Sequence, residues 1–268
     1  MIFERDGVAI HALDEGRGEP VVLLHGHSLD LRVWDDLAAA LLGSGYRVIR
    51  YDQRGHGRSA SPAAGYRLGD HAADLGGLLR HLDAVPAHVV GLSKGGAIAL
   101  EVALRDPGAV RSLILVAPLV PDFPLSPELT DSFRKLARAI RADGVQPAIL
   151  AQWLQHPLIA SAHALPGQRE RVETMLLEFP GGDYLATSRD APDREWTVVE
   201  RLGELAAPTL VVSGERDIPD FAAMASLVAE RVPGCALEIV PGCGHLVPLE
   251  RPEALAAAIL AFLTSAAR

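Results

Sequence analysis

His88-Val89-Val90-Gly91-Leu92-Ser93-Lys94-Gly95-Gly96-Ala97-Ile98-Ala99-Leu100-Glu101-Val102-Ala103-Leu104 decides the fold. An apolar run reads as a buried strand, a Gly-x-Ser-x-Gly pentapeptide follows it, and a helical run opens directly behind. This is the pattern of a nucleophile elbow, in which a serine on a sharp strand-to-helix turn exposes its hydroxyl. At a helix N-terminus, backbone N–H groups are available to a developing oxyanion. Gly91 and Gly95 permit the tight turn, because a side chain at either position collides with neighbouring backbone. A chain with 25 glycines produces such a pentapeptide by chance, so its surroundings carry the reading.

Outward from Ser93, short apolar runs alternate with longer amphipathic ones from Val8 onward, as in a sheet whose strands are joined by crossover helices. The strands are expected at Val21–Leu24, Arg47–Tyr51, His88–Leu92, Ser112–Ala117, Thr209–Ser213 and Leu237–Val240. Several are almost wholly apolar, as strands covered on both faces should be. Helices are expected at Leu31–Leu42, Asp70–Leu82, Gly95–Arg105, Phe221–Arg231 and Pro252–Leu263. The alternation stops between Pro118 and Pro208, where helical segments near Glu128–Arg141, Val145–Gln155 and Gln168–Glu178 follow four prolines and no strand is evident. The expected fold class is therefore α/β, a mostly parallel central sheet flanked by helices. Residues 1–118 and 208–268 form its core and residues 119–207 an inserted helical lid over the strand C-termini, where ligands bind in such folds. Helices that merely extend the core are the alternative.

The bulk numbers narrow the function classes. A chain of 268 residues suits one domain with an insertion, and 49% hydrophobic with 22% charged residues is ordinary globular composition. Basic residues are outnumbered 25 to 34, for a net charge of −9, and no basic tract appears, which argues against a nucleic-acid surface. Cys235 and Cys243 are the only cysteines, too few for a disulfide framework and read as reduced thiols. Glu4, Arg5 and Asp6 interrupt the apolar stretch a signal peptide needs, and no apolar run approaches the roughly 20 residues of a membrane span. A cytoplasmic protein acting on a small-molecule substrate, with no nucleic-acid or membrane partner, is expected. Its oligomeric state is left open.

A serine hydroxyl is a poor nucleophile at neutral pH and needs a histidine base, which in turn needs an acid to fix its tautomer. Of the ten histidines, His245 alone follows Ser93 in a loop closing a late strand, in Pro241-Gly242-Cys243-Gly244-His245. His156 and His163 fall in the expected lid and read as surface or pocket-lining residues. Asp217, ending Thr209–Asp217 ahead of a helix, leads the acids; Glu215, Asp220 and the more distant Asp122 are rivals. The backbone N–H of Lys94 is one oxyanion donor, and that of His27, in His25-Gly26-His27-Ser28, is the natural second. His25 and His27 have the spacing of a metal pair, but no third ligand is evident, so neither metal nor cofactor is expected. Trp34, Trp153 and Trp196 are either core or pocket wall, with Trp153 of the lid taken as the substrate contact. Cys243 reads as packing.

Taken together, His25-Gly26, Asp52-Gln53-Arg54-Gly55-His56-Gly57-Arg58-Ser59, the Ser93 elbow, Gly214-Glu215-Arg216-Asp217, and Gly244-His245 followed by Glu250-Arg251-Pro252-Glu253 resemble, in order, the motifs of the α/β-hydrolase superfamily. The resemblance implies a serine hydrolase with Ser93, Asp217 and His245 as its triad and a structural role for the loop carrying Asp52, Arg54 and Ser59. Size, lid and loop resemble enol-lactonases, haloperoxidase-like esterases and meta-cleavage carbon-carbon hydrolases alike. A small-molecule ester or lactone hydrolase is the leading expectation; a carbon-carbon hydrolase and a ligand receptor on the same scaffold are the alternatives. Lys94 departs from the apolar or amide residue usual in relatives. Its ammonium is either solvated or draws an anionic substrate group, and a buried arginine across from Ser93 would point to a carboxylated lactone.

Overall fold

A computed structural model describes residues 1–187 and 194–266. Eight strands, β1 (Ile2–Arg5), β2 (Val8–Glu15), β3 (Pro20–Leu24), β4 (Arg47–Tyr51), β5 (Ala87–Leu92), β6 (Val110–Val116), β7 (Thr209–Gly214) and β8 (Ala236–Val240), form one sheet in the order β1-β2-β4-β3-β5-β6-β7-β8. From β4 to β8 every pairing is parallel, while β1–β2 and β2–β4 are antiparallel. β3, β5 and β7 are buried along nearly their whole length, which explains their unbroken apolar composition. The N-terminal hairpin was not among the expected strands. Its signal is Asp6-Gly7, both at positive φ (51° and 76°), a two-residue turn flanked by strands. Buried His11 masks it by breaking the apolar pattern; its N–H is satisfied by Ser59 Oγ at 2.8 Å.

Helices α1 (Asp35–Gly43), α2 (Leu68–His81) and α3 (Lys94–Arg105) cross between the early strands, and a short 3₁₀ turn, Leu31–Trp34, precedes α1. Between β6 and β7 the described residues form no strand; their helices are α4 (Pro127–Asp143), α5 (Val145–Ala148), α6 (Pro157–His163), α7 (Arg169–Leu177), α8 (Gly182–Leu185) and α9 (Val198–Arg201), followed by a 3₁₀ turn at Leu202–Glu204. A single π turn, Ile149–Trp153, continues α5. After β7 come α10 (Pro219–Arg231), α11 (Val247–Glu250) and α12 (Pro252–Ala266). Among the described residues no helix is long and apolar enough to cross a membrane.

The loop after β4 fixes the sheet beneath the site. Asp52 accepts hydrogen bonds from the N–H groups of Leu31 and Arg58, both at 2.9 Å, and lies 3.0 Å from His11 Nδ1. Ser59 Oγ donates to Asp52 O at 2.6 Å. Gly57 sits at φ 49°, where a Cβ would run into the Asp52 carboxylate. Arg54 leaves the turn and forms a two-pronged pair with buried Asp74 of α2, at 2.6 and 2.7 Å. The loop therefore uses its polar side chains to bind the scaffold.

Candidate active site

Ser93 stands between β5 and α3 at φ 51°, ψ −113°, a conformation L residues rarely adopt. Its N–H donates to Val116 O at 3.0 Å and its carbonyl accepts from Ala97 and Leu119, both at 3.1 Å, so surrounding backbone holds the strained residue. The glycines on either side are obligatory: a Cβ on Gly91 would overlap the Gly95 carbonyl, and one on Gly95 the carbonyl of Leu24 at the end of β3. This close approach sets the first turn of α3 against the loop Gly26–His27. Lys94 is the first residue of α3, and its N–H has no carbonyl one turn earlier to bind.

His245 follows β8 and Asp217 follows β7, so both emerge at the C-terminal edge of the sheet with Ser93. His245 Nδ1 lies 2.8 Å from Asp217 Oδ2, with the histidine side chain 4% and the aspartate 0% exposed. An ionised carboxylate only accepts, so Nδ1 carries the proton and Nε2 presents a lone pair. The second Asp217 oxygen accepts from the N–H of Ile218 at 2.8 Å, tying the acid to the start of α10. The imidazole packs edge-on against Phe221, with ring centroids 4.3 Å apart. Its loop is clamped by buried Glu250, which accepts from the N–H groups of Gly244 (2.7 Å) and Leu246 (3.1 Å) and from Ser161 Oγ (2.9 Å).

The rival acids are engaged elsewhere. Glu215 accepts from the Gly242 N–H, Asp220 holds the N–H and hydroxyl of Ser126, and Asp122 binds the Val198 N–H and the Arg194 guanidinium. Cys243 is fully buried, and burial pushes its thiol up to about 12, which leaves it uncharged and inert beside the histidine.

Ser93, His245, Gly26, His27 and Lys94 line one cavity of about 450 Å³. The helical insertion supplies Phe133, Trp153, Leu158 and Ile159 to its wall, giving it a largely apolar lining. Trp153 is fixed by its indole N–H, which donates to Ser28 Oγ at 2.7 Å, and by stacking on His156 at 4.6 Å. Trp34 is fully buried in the core, and Trp196 lies under the guanidinium groups of Arg194 and Arg201. His156 and His163 do not line this cavity; they bond Ser132 and Glu173.

The sequence gives no sign of the polar corner beside Ser93. Asp183 of α8 places Oδ2 3.2 Å from Lys94 Nζ and 3.4 Å from His27 Nδ1, while His27 Nε2 is 3.0 Å from the Tyr184 hydroxyl. Burial opposes the charge on Asp183, but the adjacent Lys94 ammonium holds its carboxyl well below the usual range. Burial lowers His27 to about 4 and His56 well below its ordinary value, so both rings are neutral at pH 7. Ligand atoms of His27, His56 and Asp183 lie within 4.8 Å of one another, a grouping that excludes His25. Both His25 ring nitrogens are used, Nδ1 at 2.7 Å from Gly26 O and Nε2 accepting the Gln53 N–H at 2.9 Å. Lys94 already supplies this corner with a cation.

A family model for the alpha/beta hydrolase fold matches residues 19–252. A non-heme chloroperoxidase of Streptomyces lividans is 29% identical over 97% of this chain and 98% of its own length. Among solved structures, Est816, described as an N-acyl homoserine lactone degrading enzyme, is 30% identical with a TM-score of 0.80, covering 98% of this chain and all of that one. The enol-lactonase of Burkholderia xenovorans LB400, 24% identical over 98% of this chain and all of its own, superposes with a TM-score of 0.85 and attests the shared fold. Matched through the elbow and both later loops, the chain belongs to the α/β-hydrolase family.

Proposed function

We propose that this hydrolase cleaves a small-molecule ester or lactone through an acyl-enzyme, with Ser93, His245 and Asp217 as its triad. The observation that carries this reading is the strained Ser93 elbow in one cavity with a histidine whose Nδ1 is held 2.8 Å from a buried aspartate. Ser93 Oγ attacks the carbonyl carbon as His245 Nε2 takes its proton, and Asp217 stabilises the imidazolium that forms. The N–H groups of Lys94 and His27 donate to the oxyanion. His245 then returns the proton to the leaving oxygen, and water, activated by the same nitrogen, releases the acid. Residues 119–207 act as a lid, whose apolar wall favours an apolar acyl or alcohol chain. The lactone-degrading activity in the name of Est816 is consistent with this substrate class.

Hydrolysis of short-chain esters tests it. Ser93→Ala is expected to lower kcat/KM by about 10⁵–10⁶-fold and Asp217→Asn by about 10⁴-fold, with circular dichroism unchanged. Wild-type turnover by Ser93→Ala would rule the mechanism out.

A further inference from the structure

Lys94 stands next to the nucleophile, and an isolated ammonium there would favour substrates bearing a carboxylate. The geometry removes that preference. Asp183 Oδ2 lies 3.2 Å from Lys94 Nζ, with the two side chains only 18% and 16% exposed. Charges paired at this distance in a partly buried site cancel most of each other's outward field. The second cation lining the cavity, Arg194, is matched as well, by Asp122 at 2.8 Å and Glu101 at 3.3 Å. No cation lining the cavity among the described residues is left to recruit an anion.

The pair nevertheless retains hydrogen-bonding capacity. Lys94 has three N–H bonds, one of which serves Asp183. Asp183 Oδ1 is buried without a hydrogen-bond partner among the described residues, and Asp183 itself lines the cavity. Each carboxylate oxygen carries two lone pairs, so where Asp183 lines the cavity it keeps acceptor capacity beyond its bond to Lys94 for a substrate N–H or O–H. The ammonium meanwhile donates to a neighbouring oxygen. A carboxamide or hydroxyl offers both functions without charge. A carboxylate offers no donor and brings a second negative charge beside Asp183.

We propose that Lys94 and Asp183 form a charge-matched subsite that selects esters or lactones carrying an uncharged amide or hydroxyl group and excludes those carrying a carboxylate. The proposal rests on the hydrolase reading given above. Three ethyl esters of equal reach test it: ethyl succinamate, monoethyl succinate and ethyl 4-methylpentanoate, whose ends are amide, carboxylate and isopropyl. In the wild type, kcat/KM is expected to be at least tenfold higher for the amide than for the carboxylate. Asp183→Asn, which leaves the Lys94 charge unmatched, is expected to raise the carboxylate-to-amide ratio at least tenfold. A wild-type preference for monoethyl succinate, or a ratio within twofold of wild type in Asp183→Asn, overturns the proposal. Should Asp183→Asn not fold, protection of wild-type Ser93 from a fluorophosphonate by the same three compounds gives the ordering without a variant. Amide protection weaker than carboxylate protection then overturns it. Failure of Ser93 to label at all would count instead against the hydrolase mechanism.

Discussion

Ser93 was legible from five residues and their flanks because the elbow's demands are local: glycines where a Cβ would meet backbone, a strand before and a helix after. Asp217 and His245 were legible because each ends a strand in a short loop. Asp183 was not, since Gly-Gly-Asp-Tyr in a helical insertion carries no local pattern, and only the tertiary fold brings it to Lys94. His27 links the two groups of residues and gives a pH signature. Its folded value of about 4 lies below the 6.5 of the unfolded imidazole. The unfolded state therefore binds the extra proton, so this contribution to stability is present above pH 6.5 and is lost as pH falls toward 4. Unfolding of wild type and His27→Gln at pH 7 and pH 5 is expected to show a smaller acid loss in the variant, by about 1–2 kcal/mol. An equal loss would mean that His27 is not held neutral by burial.

Among the elements, the six expected strands are all present, with ends displaced by a residue or two where flanking residues join the ladder. Helix α1 starts later than expected because Leu31–Trp34 tightens into a 3₁₀ turn capped by Asp30, whose carboxylate accepts the Arg32 N–H at 2.9 Å. In the insertion, α6, α8 and α9 were missed, since at seven, four and four residues they are too short for a periodic signal. The junction of β3, β5 and α3 is the element contact on which the site depends. Gly95→Ala adds a methyl against the Leu24 carbonyl and the His25 carbonyl oxygen 2.8 Å away, and backbone cannot rotate aside as a side chain does. A loss of about 2–4 kcal/mol is expected in denaturant melts, with activity falling further than stability because the Lys94 N–H moves with α3. Wild-type stability in Gly95→Ala would show that α3 does not pack this closely on β3.

For the whole molecule, the sequence order of motifs sufficed for the parallel sheet, but not for the ties that join its distant parts. Asp74 is one such tie: it takes both prongs of Arg54 from the loop after β4 and lies 3.3 Å from Arg5 Nη1 of β1. Asp74 and Arg54 are 1% and 5% exposed, so removing the acid strands a buried guanidinium. Asp74→Ala is expected to cost about 3–5 kcal/mol in chemical denaturation. A cost below about 1 kcal/mol would mean that water reaches Arg54. Arg194 joins Glu101 of α3 to Asp122 after β6 and so couples the insertion to the helix that carries the elbow. Scaffold, insertion and polar corner meet at Ser93, and the proposed chemistry stands on the reactivity of that one hydroxyl. Intact-mass measurement after treatment with a fluorophosphonate tests it most directly. One adduct per chain, mapped to Ser93, slowed at least about tenfold in Asp217→Asn and absent from Ser93→Ala, is the expected result; an unmodified wild-type chain, or an adduct retained in Ser93→Ala, would contradict it.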